Sequence, residues 1–231
     1  MTERVRAERI REMFDRIATG YDRQNTLFSL DRDRAWRRRA ARLADLRPGS
    51  VALDLCTGTG KLAAELLPYA RPGGRVIGLD FSPRMLELAR RQVPGVEFQL
   101  GDVMTLPLAD RSIDAVTIAF GLRNLVDREG GLAEMFRVLK PGGRLVILEF
   151  RPPPRGPLFL PYRVYLAGVM PRIAGWFGMD RQAYQYLADT VQGFPSPTDL
   201  ARLLEQVGFS DVQVERMTAG IVALHRALRP N

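Results

Sequence analysis

Residues 51–60 read VALDLCTGTG, and they decide the fold. An apolar run, Val51 to Leu55, carries an acid near its end, Asp54. A glycine turn follows at Gly58, Thr59 and Gly60, and residues 61–67, KLAAELL, have the spacing of a helix. Strand, glycine turn and helix make the first half of a βαβ unit, where the helix N-terminus faces a ligand lying across the carboxyl end of the strand. Glycine is required there because a Cβ would hold the backbone away from that ligand.

The next apolar run outward, residues 75–79, ends on Asp80, twenty residues past Gly60. An acid in that place accepts hydrogen bonds from both ribose hydroxyls of an adenosine. A third run, residues 96–100, closes on Gly101 and Asp102, and Asp102 suits an adenine amino group. Gly58-x-Gly60-x-x-Ala63 nearly matches a dinucleotide fingerprint, which alone is a weak signal. Asp54 points elsewhere: a carboxylate ahead of the turn repels a pyrophosphate, whereas it suits the sulfonium and ammonium of S-adenosyl-L-methionine, directly or through the loop. Acids at three successive strand ends favour that cofactor over a nicotinamide dinucleotide.

A chain of 231 residues fits one α/β domain with additions. Cys56 is the one cysteine, so no internal disulfide forms, and a reducing, cytoplasmic compartment is expected. We read it as a small buried filler, not a reactive thiol. Residues 1–16 are charged throughout, unlike a signal peptide, and no apolar window reaches the roughly 20 residues of a membrane span. The expectation is a soluble or peripheral protein. Of the cationic residues behind the +8 net charge, only Lys61 and Lys140 are lysines. Arginine bias of this kind leaves nucleic acid and an anionic membrane surface both open as partners.

Along the chain, Val5, Ile10, Met13, Phe14 and Ile17 have helical spacing, and a polar turn marked by Tyr21 is expected over residues 18–25. Asp33 to Ala44 reads as a second helix, whose Arg34, Arg37, Arg38, Arg39 and Arg42 surround Trp36. A basic helix with an aromatic anchor resembles a membrane-surface contact, and an ordinary solvated face is the plainer reading. Ser82-Pro83 starts a helix, residues 113–120 form a fourth strand, and Lys140-Pro141-Gly142-Gly143 turns from a helix over 129–139 into a strand over 144–150. Strands alternating with helices predict a Rossmann-like parallel sheet, and residues 212–217 and 221–227 predict a closing antiparallel hairpin. Residues 151–195 begin with a proline-rich link and are apolar and aromatic over 158–179, which predicts a substrate lid. The organisation is one domain: a helical cap over 1–50, a cofactor core over 51–150, the lid over 151–195, and a closing helix and hairpin over 196–231.

Beyond this core, the chain resembles the ubiquinone/menaquinone biosynthesis C-methyltransferases. The resemblance rests on four stretches, FDRIATGYDRQNTLFSLDRDRAW over residues 14–36, FGLRN over 120–124, RVLKPGGRLVILEF over 137–150 and TAGIVALHR over 218–226. It covers nearly the full length. It implies the class I S-adenosylmethionine-dependent methyltransferase fold and methylation of a ring carbon of a polyprenylated quinol, either demethylmenaquinol to menaquinol or one step of ubiquinol synthesis. By motif match it places cofactor contacts on Thr59, Asp80 and the pair Asp102-Val103. Where the family usually has serine before FGLRN this chain has Ala119, and Lys61 replaces the acid that often follows the glycine turn. Gln24, Asp33 and Arg151 also depart from the family signatures.

Methylation at carbon requires a flat aromatic diol to lose a hydroxyl proton, so that electron density reaches the ortho carbon, and requires the oxyanion to be stabilised. Arg123 is expected to stabilise the phenolate or orient a basic water, since a guanidinium stays protonated. Asn124 is expected to bond the second ring oxygen, and Tyr21 to cover the site and take part in proton movement. The plainer reading of Arg123 is an ion pair with a neighbour such as Asp127, and that of Asp22 is a pin for the N-terminal turn. His225, in an alternating strand, reads as structural, and no metal-ligating set is apparent. A prenyl tail fits the apolar lid, with the arginine helix on anionic headgroups at the inner membrane face. Rival readings are a nucleic-acid methyltransferase, which lacks an RNA-binding module, and a non-catalytic cofactor-binding subunit. The naphthoquinol reading is preferred to the benzoquinol, and a homo-oligomer stays open.

Overall fold

The computed structural model describes residues 3–29, 31–151, 164, 168 and 181–231. Helix α1 spans Glu3–Ser29 and α2 spans Arg32–Leu43. Strands and helices then alternate as β1 Val51–Leu55, α3 Lys61–Ala70, β2 Arg75–Asp80, α4 Pro83–Gln92, β3 Glu97–Leu100, β4 Ile113–Ala119, α5 Arg128–Val138 and β5 Leu139–Phe150. Helices α6, Arg181–Gln192, and α7, Pro197–Val207, precede the hairpin of β6, Ser210–Met217, and β7, Val222–Leu228.

The seven strands are ordered β3-β2-β1-β4-β5-β7-β6. β1 pairs in parallel with β2 and β4, so the order reverses at β1 and opens a crevice at its carboxyl end. β7 runs antiparallel to both β5 and β6, the closing hairpin read from the sequence. Period-two alternation sends side chains to two cores. Leu53, Ile77 and Ile147 join α5 and α7 on one face, and Ala52, Val76 and Val146 join α2 and α3 on the other. Ser82 caps α4 by accepting from the Met85 N–H at 3.1 Å, with proline at the first turn as expected.

Two local readings change. The turn expected over residues 18–25 is helical, and α1 runs on to Ser29. Gly20 alone does not stop a helix whose Asp22 bonds Thr59 of the glycine turn; tertiary contacts override propensity. The Lys140–Gly143 turn is a bulge within β5, since Leu139 already pairs with Ile113 before the register shifts.

The expected lid falls mostly outside the described residues, including the apolar run over 158–179. Among the described residues, no helix is long and apolar enough to cross a membrane.

Candidate active site

The glycine turn converts the end of β1 into a wall. Cys56, Gly58 and Gly60 have φ of +51°, +56° and +81°, a left-handed path that only glycine follows without strain. A Cβ on Gly58 would meet nothing within 4 Å, so this is the open side of the turn, whereas one on Gly60 would meet the Phe98 ring at 2.8 Å.

Asp54 lies beneath this turn. In register it neighbours Gly78 of β2 and Thr117 of β4. Its carboxylate accepts from Thr57 Oγ1 at 2.6 Å and Thr117 Oγ1 at 2.7 Å. Burial pushes it up to about 6, against the pull of those hydroxyls. It does not line the cleft above, which a direct contact of the kind read from the sequence would require.

Asp80 does line the cleft. Its oxygens accept from the Gly58 N–H at 2.8 Å and the Ser82 N–H at 2.9 Å, tying the glycine turn to the start of α4. Burial, partly offset by these bonds, pushes it up to about 6. Asp102 is exposed at the rim and accepts from the Met104 N–H at 3.0 Å, with the buried Val103 beside it. The cleft encloses about 610 Å³ including its solvent-open mouth. Cys56 lines it too, and burial followed by the charge of Asp80 holds its thiol well above the usual range, which disfavours the thiolate.

The opposite wall comes from the end of β4. Phe120 turns at φ +58°. A Cβ on Gly121 would meet Cys56 Cβ at 2.5 Å, so this glycine lets the two turns close on each other. A 3-10 turn, Leu122–Asn124, follows. Arg123 is 5% exposed, and its Nη1 donates to Glu149 Oε1 of β5 at 2.7 Å and to the Phe120 carbonyl. A guanidinium stays protonated; burial alone would lower its pKa, but the Glu149 carboxylate outweighs burial and the pKa is raised. The ion pair expected with Asp127 is therefore made with Glu149; Asp127 caps α5, accepting from the Gly130 N–H at 3.0 Å. Arg123 sits behind the cleft wall, whereas Asn124 lines it and accepts from the Tyr186 hydroxyl of α6 at 3.1 Å.

Helix α1 closes the cleft. Phe14 and Tyr21, two turns apart, line it. Asp15 and Asp22, one residue further on each time, dock the helix: Asp15 accepts from Ser82 Oγ, and Asp22 from Thr59 Oγ1 at 2.7 Å. Lys61 Nζ lies 3.5 Å from Asp22, so the departure noted after the glycine turn supplies a latch for α1. Thr59 is buried behind this latch and does not line the cleft.

Several side chains singled out in the sequence lie outside the cleft lining. Trp36 is 4% exposed and packs against Phe120 and Phe150, so it is not a surface anchor. Arg37 is buried against Asp33, and Arg38 and Arg39 reach Glu65 and Glu215. His225 is buried in β7 with Nε2 2.9 Å from the Pro197 carbonyl oxygen, the structural part expected of it.

Sequence reasoning missed Glu149, which sits in an apolar run whose lone acid was the available signal. It also missed Asp15, and the hydrogen bond that Tyr186, within the span read as the lid, makes to Asn124.

The fold is that of the class I S-adenosylmethionine-dependent methyltransferases. A solved structure of such a methyltransferase from Thermotoga maritima, described as a possible histamine N-methyltransferase, matches with TM-score 0.68 at 22% identity, covering 94% of this chain and 98% of that one. Residues 2–229 match the ubiE/COQ5 methyltransferase family, and the chain belongs to that family. Among curated relatives, a demethylmenaquinone methyltransferase of Thermus thermophilus is 47% identical, covering 94% of this chain and 100% of its own length. Another, from Streptomyces avermitilis, is 42% identical over 95% and 94%.

Proposed function

We propose that the protein methylates a ring carbon of a polyprenylated quinol, and that this quinol is demethylmenaquinol, giving menaquinol. The activity named for the two relatives supports the substrate. The observation that carries the reading to residues is the 120–124 loop, where the buried, charged Arg123 adjoins a cleft lined by Tyr21, Phe120 and Asn124.

The residues fit a sulfonium nucleoside. The turn is open at Gly58, and two buried carboxylates, Asp54 and Asp80, are each pushed up to about 6, a cost that a bound cation would relieve. Asp80 would hold the ribose and Asp102 the adenine amino group, with Val103 against the ring; Gly58 and Thr59 would face the methionine portion with their backbone. Bound S-adenosylmethionine supplies an electrophilic methyl group on positively charged sulfur.

The chain's own work is on the quinol. Arg123 stabilises the phenolate left when a ring hydroxyl loses its proton, directly or by orienting a water. Asn124, its amide held by Tyr186, donates to the second ring oxygen. Tyr21 covers the ring and passes the proton outward. Electron density then resides on the ortho carbon, which is the nucleophile, and that carbon's own proton leaves afterwards to restore the aromatic ring.

The substrate's tail puts the reaction at a lipid surface, so we place the enzyme in the cytoplasm, resting on the inner membrane face. Arg34 and Arg42, exposed on α2, are the residues that support this contact. The test is a methyl-transfer assay with a panel of demethylated naphthoquinols and benzoquinols. Turnover of the naphthoquinol, lost in Arg123→Ala with S-adenosylhomocysteine binding kept, is expected; turnover of the benzoquinol alone would move the substrate, and turnover of neither would overturn the reading.

A further inference from the structure

Glu149, at 1% exposure, is as deeply buried as Asp54 on the other side of the cleft. It sits near the end of β5 and gathers donors from the loop opposite. Oε1 accepts from Arg123 Nη1 at 2.7 Å and from the Phe150 N–H at 2.9 Å, and Oε2 accepts from the Arg123 N–H at 3.3 Å. One carboxylate therefore holds both the backbone and the side chain of the same arginine. Arg123 Nε is buried with no hydrogen-bond partner among the described residues. The guanidinium is thus fixed on one edge and unsatisfied on another, an arrangement that costs stability unless an incoming acceptor uses it.

We infer that Glu149 is a positioning residue, acting through Arg123 to aim the guanidinium at the quinol oxygen and to moderate its charge. The inference rests on the proposed role of Arg123. A free buried guanidinium would make a nearby phenol much more acidic, and pairing it with a carboxylate leaves a nearly neutral couple whose effect is weaker and directional. Glu149 thereby sets how readily the substrate ionises. The groups facing the couple are Tyr21 from α1, Tyr186 from α6 and, towards Glu149, the Cys56 thiol of the glycine turn. Phe150 covers the guanidinium, its ring centre 5.9 Å from Cζ.

Two variants separate charge from reach. Glu149→Gln keeps the shape and removes the charge, so Arg123 acts on the phenol undamped. The acidic limb of the kcat/KM profile for quinol should move down by about one pH unit, the usual size for gaining an unpaired neighbouring charge. Glu149→Asp keeps the charge and shortens the arm, so kcat should fall about tenfold or more with that limb unmoved. In an Arg123→Ala background, Glu149→Gln should change neither. Calorimetric binding of S-adenosylhomocysteine, unchanged in each variant, reports that the fold is intact. Should Glu149→Gln not fold, the decision passes to Glu149→Asp, where full kcat overturns the inference. A limb unmoved in a folded Glu149→Gln also overturns it, as does a purely additive effect in the double variant. If Arg123→Ala alone keeps quinol turnover, it is the proposed role of Arg123 that fails.

Discussion

The two walls of the cleft are built in opposite ways. The wall under the glycine turn is assembled at the ends of neighbouring parallel strands, and its key contacts use backbone: the Gly58 and Ser82 N–H groups both donate to Asp80. The wall after β4 is assembled from side chains far apart, with Tyr21, Arg123, Glu149 and Tyr186 drawn from four elements. On the proposed function, the backbone wall serves the cofactor and the side-chain wall serves the substrate. The two walls should therefore fail differently when altered.

The largest separation is expected from Arg123→Ala. Loss of a preorganised stabiliser of a developing oxyanion lowers kcat by about 10²–10³, while cofactor affinity, measured by calorimetry, stays within a few-fold. Asp80→Asn should do the reverse. Removing a charged acceptor weakens cofactor binding by about 10–100-fold, the range for hydrogen bonds to charged groups, with a smaller change in KM for quinol.

The carboxylate wall also predicts a pH dependence. Asp54 and Asp80 are raised by burial from 3.8 to about 6 in the folded protein. A folded-state value above the unfolded one means that their contribution to stability is fully present below about 4 and is lost as pH rises through about 6. A bound cation favours the ionised carboxylates, so cofactor affinity should rise with pH up to about 6 and then level, releasing protons below that point. Calorimetry in buffers of different ionisation enthalpy measures that release; affinity flat from pH 5 to 7.5 would contradict it.

The smallest effect concerns the helix spanning both walls. Asp22→Ala removes the bond from Thr59 and the contact with Lys61. It should cost about 1 kcal/mol, roughly fivefold in cofactor affinity, and make α1 easier to cleave in limited proteolysis. An unchanged affinity would leave α1 as cover without a latch.

Legibility follows the same division. VALDLCTGTG, Asp80 and Asp102 could be read because strand, turn and acid recur at fixed spacing, and the structure places Gly58, Asp80 and Asp102 on the cleft. Asp54 was legible as an acid but not as a buried one, since depth depends on Thr57 and Thr117 closing over it. Arg123 was legible as a candidate and its partner was not: Glu149 lies 26 residues away, on a neighbouring strand, and no local spacing encodes that pairing. Residues 18–25 misled because Gly20 suggests a break, while the contacts that hold the helix come from the glycine turn and α4. Trp36 misled because a helix rich in arginine turned its aromatic residue inward, where Phe120 and Phe150 cover it.

The central claim is methyl transfer to carbon on a demethylated naphthoquinol. The direct measurement supplies the purified protein with S-adenosylmethionine carrying a ¹³C methyl group and reduced demethylmenaquinone, then locates the label by NMR. The label should appear as a methyl group on a ring carbon, with S-adenosylhomocysteine formed in equal amount. A label on oxygen, or cofactor left unconsumed while the quinol stays reduced, would contradict it.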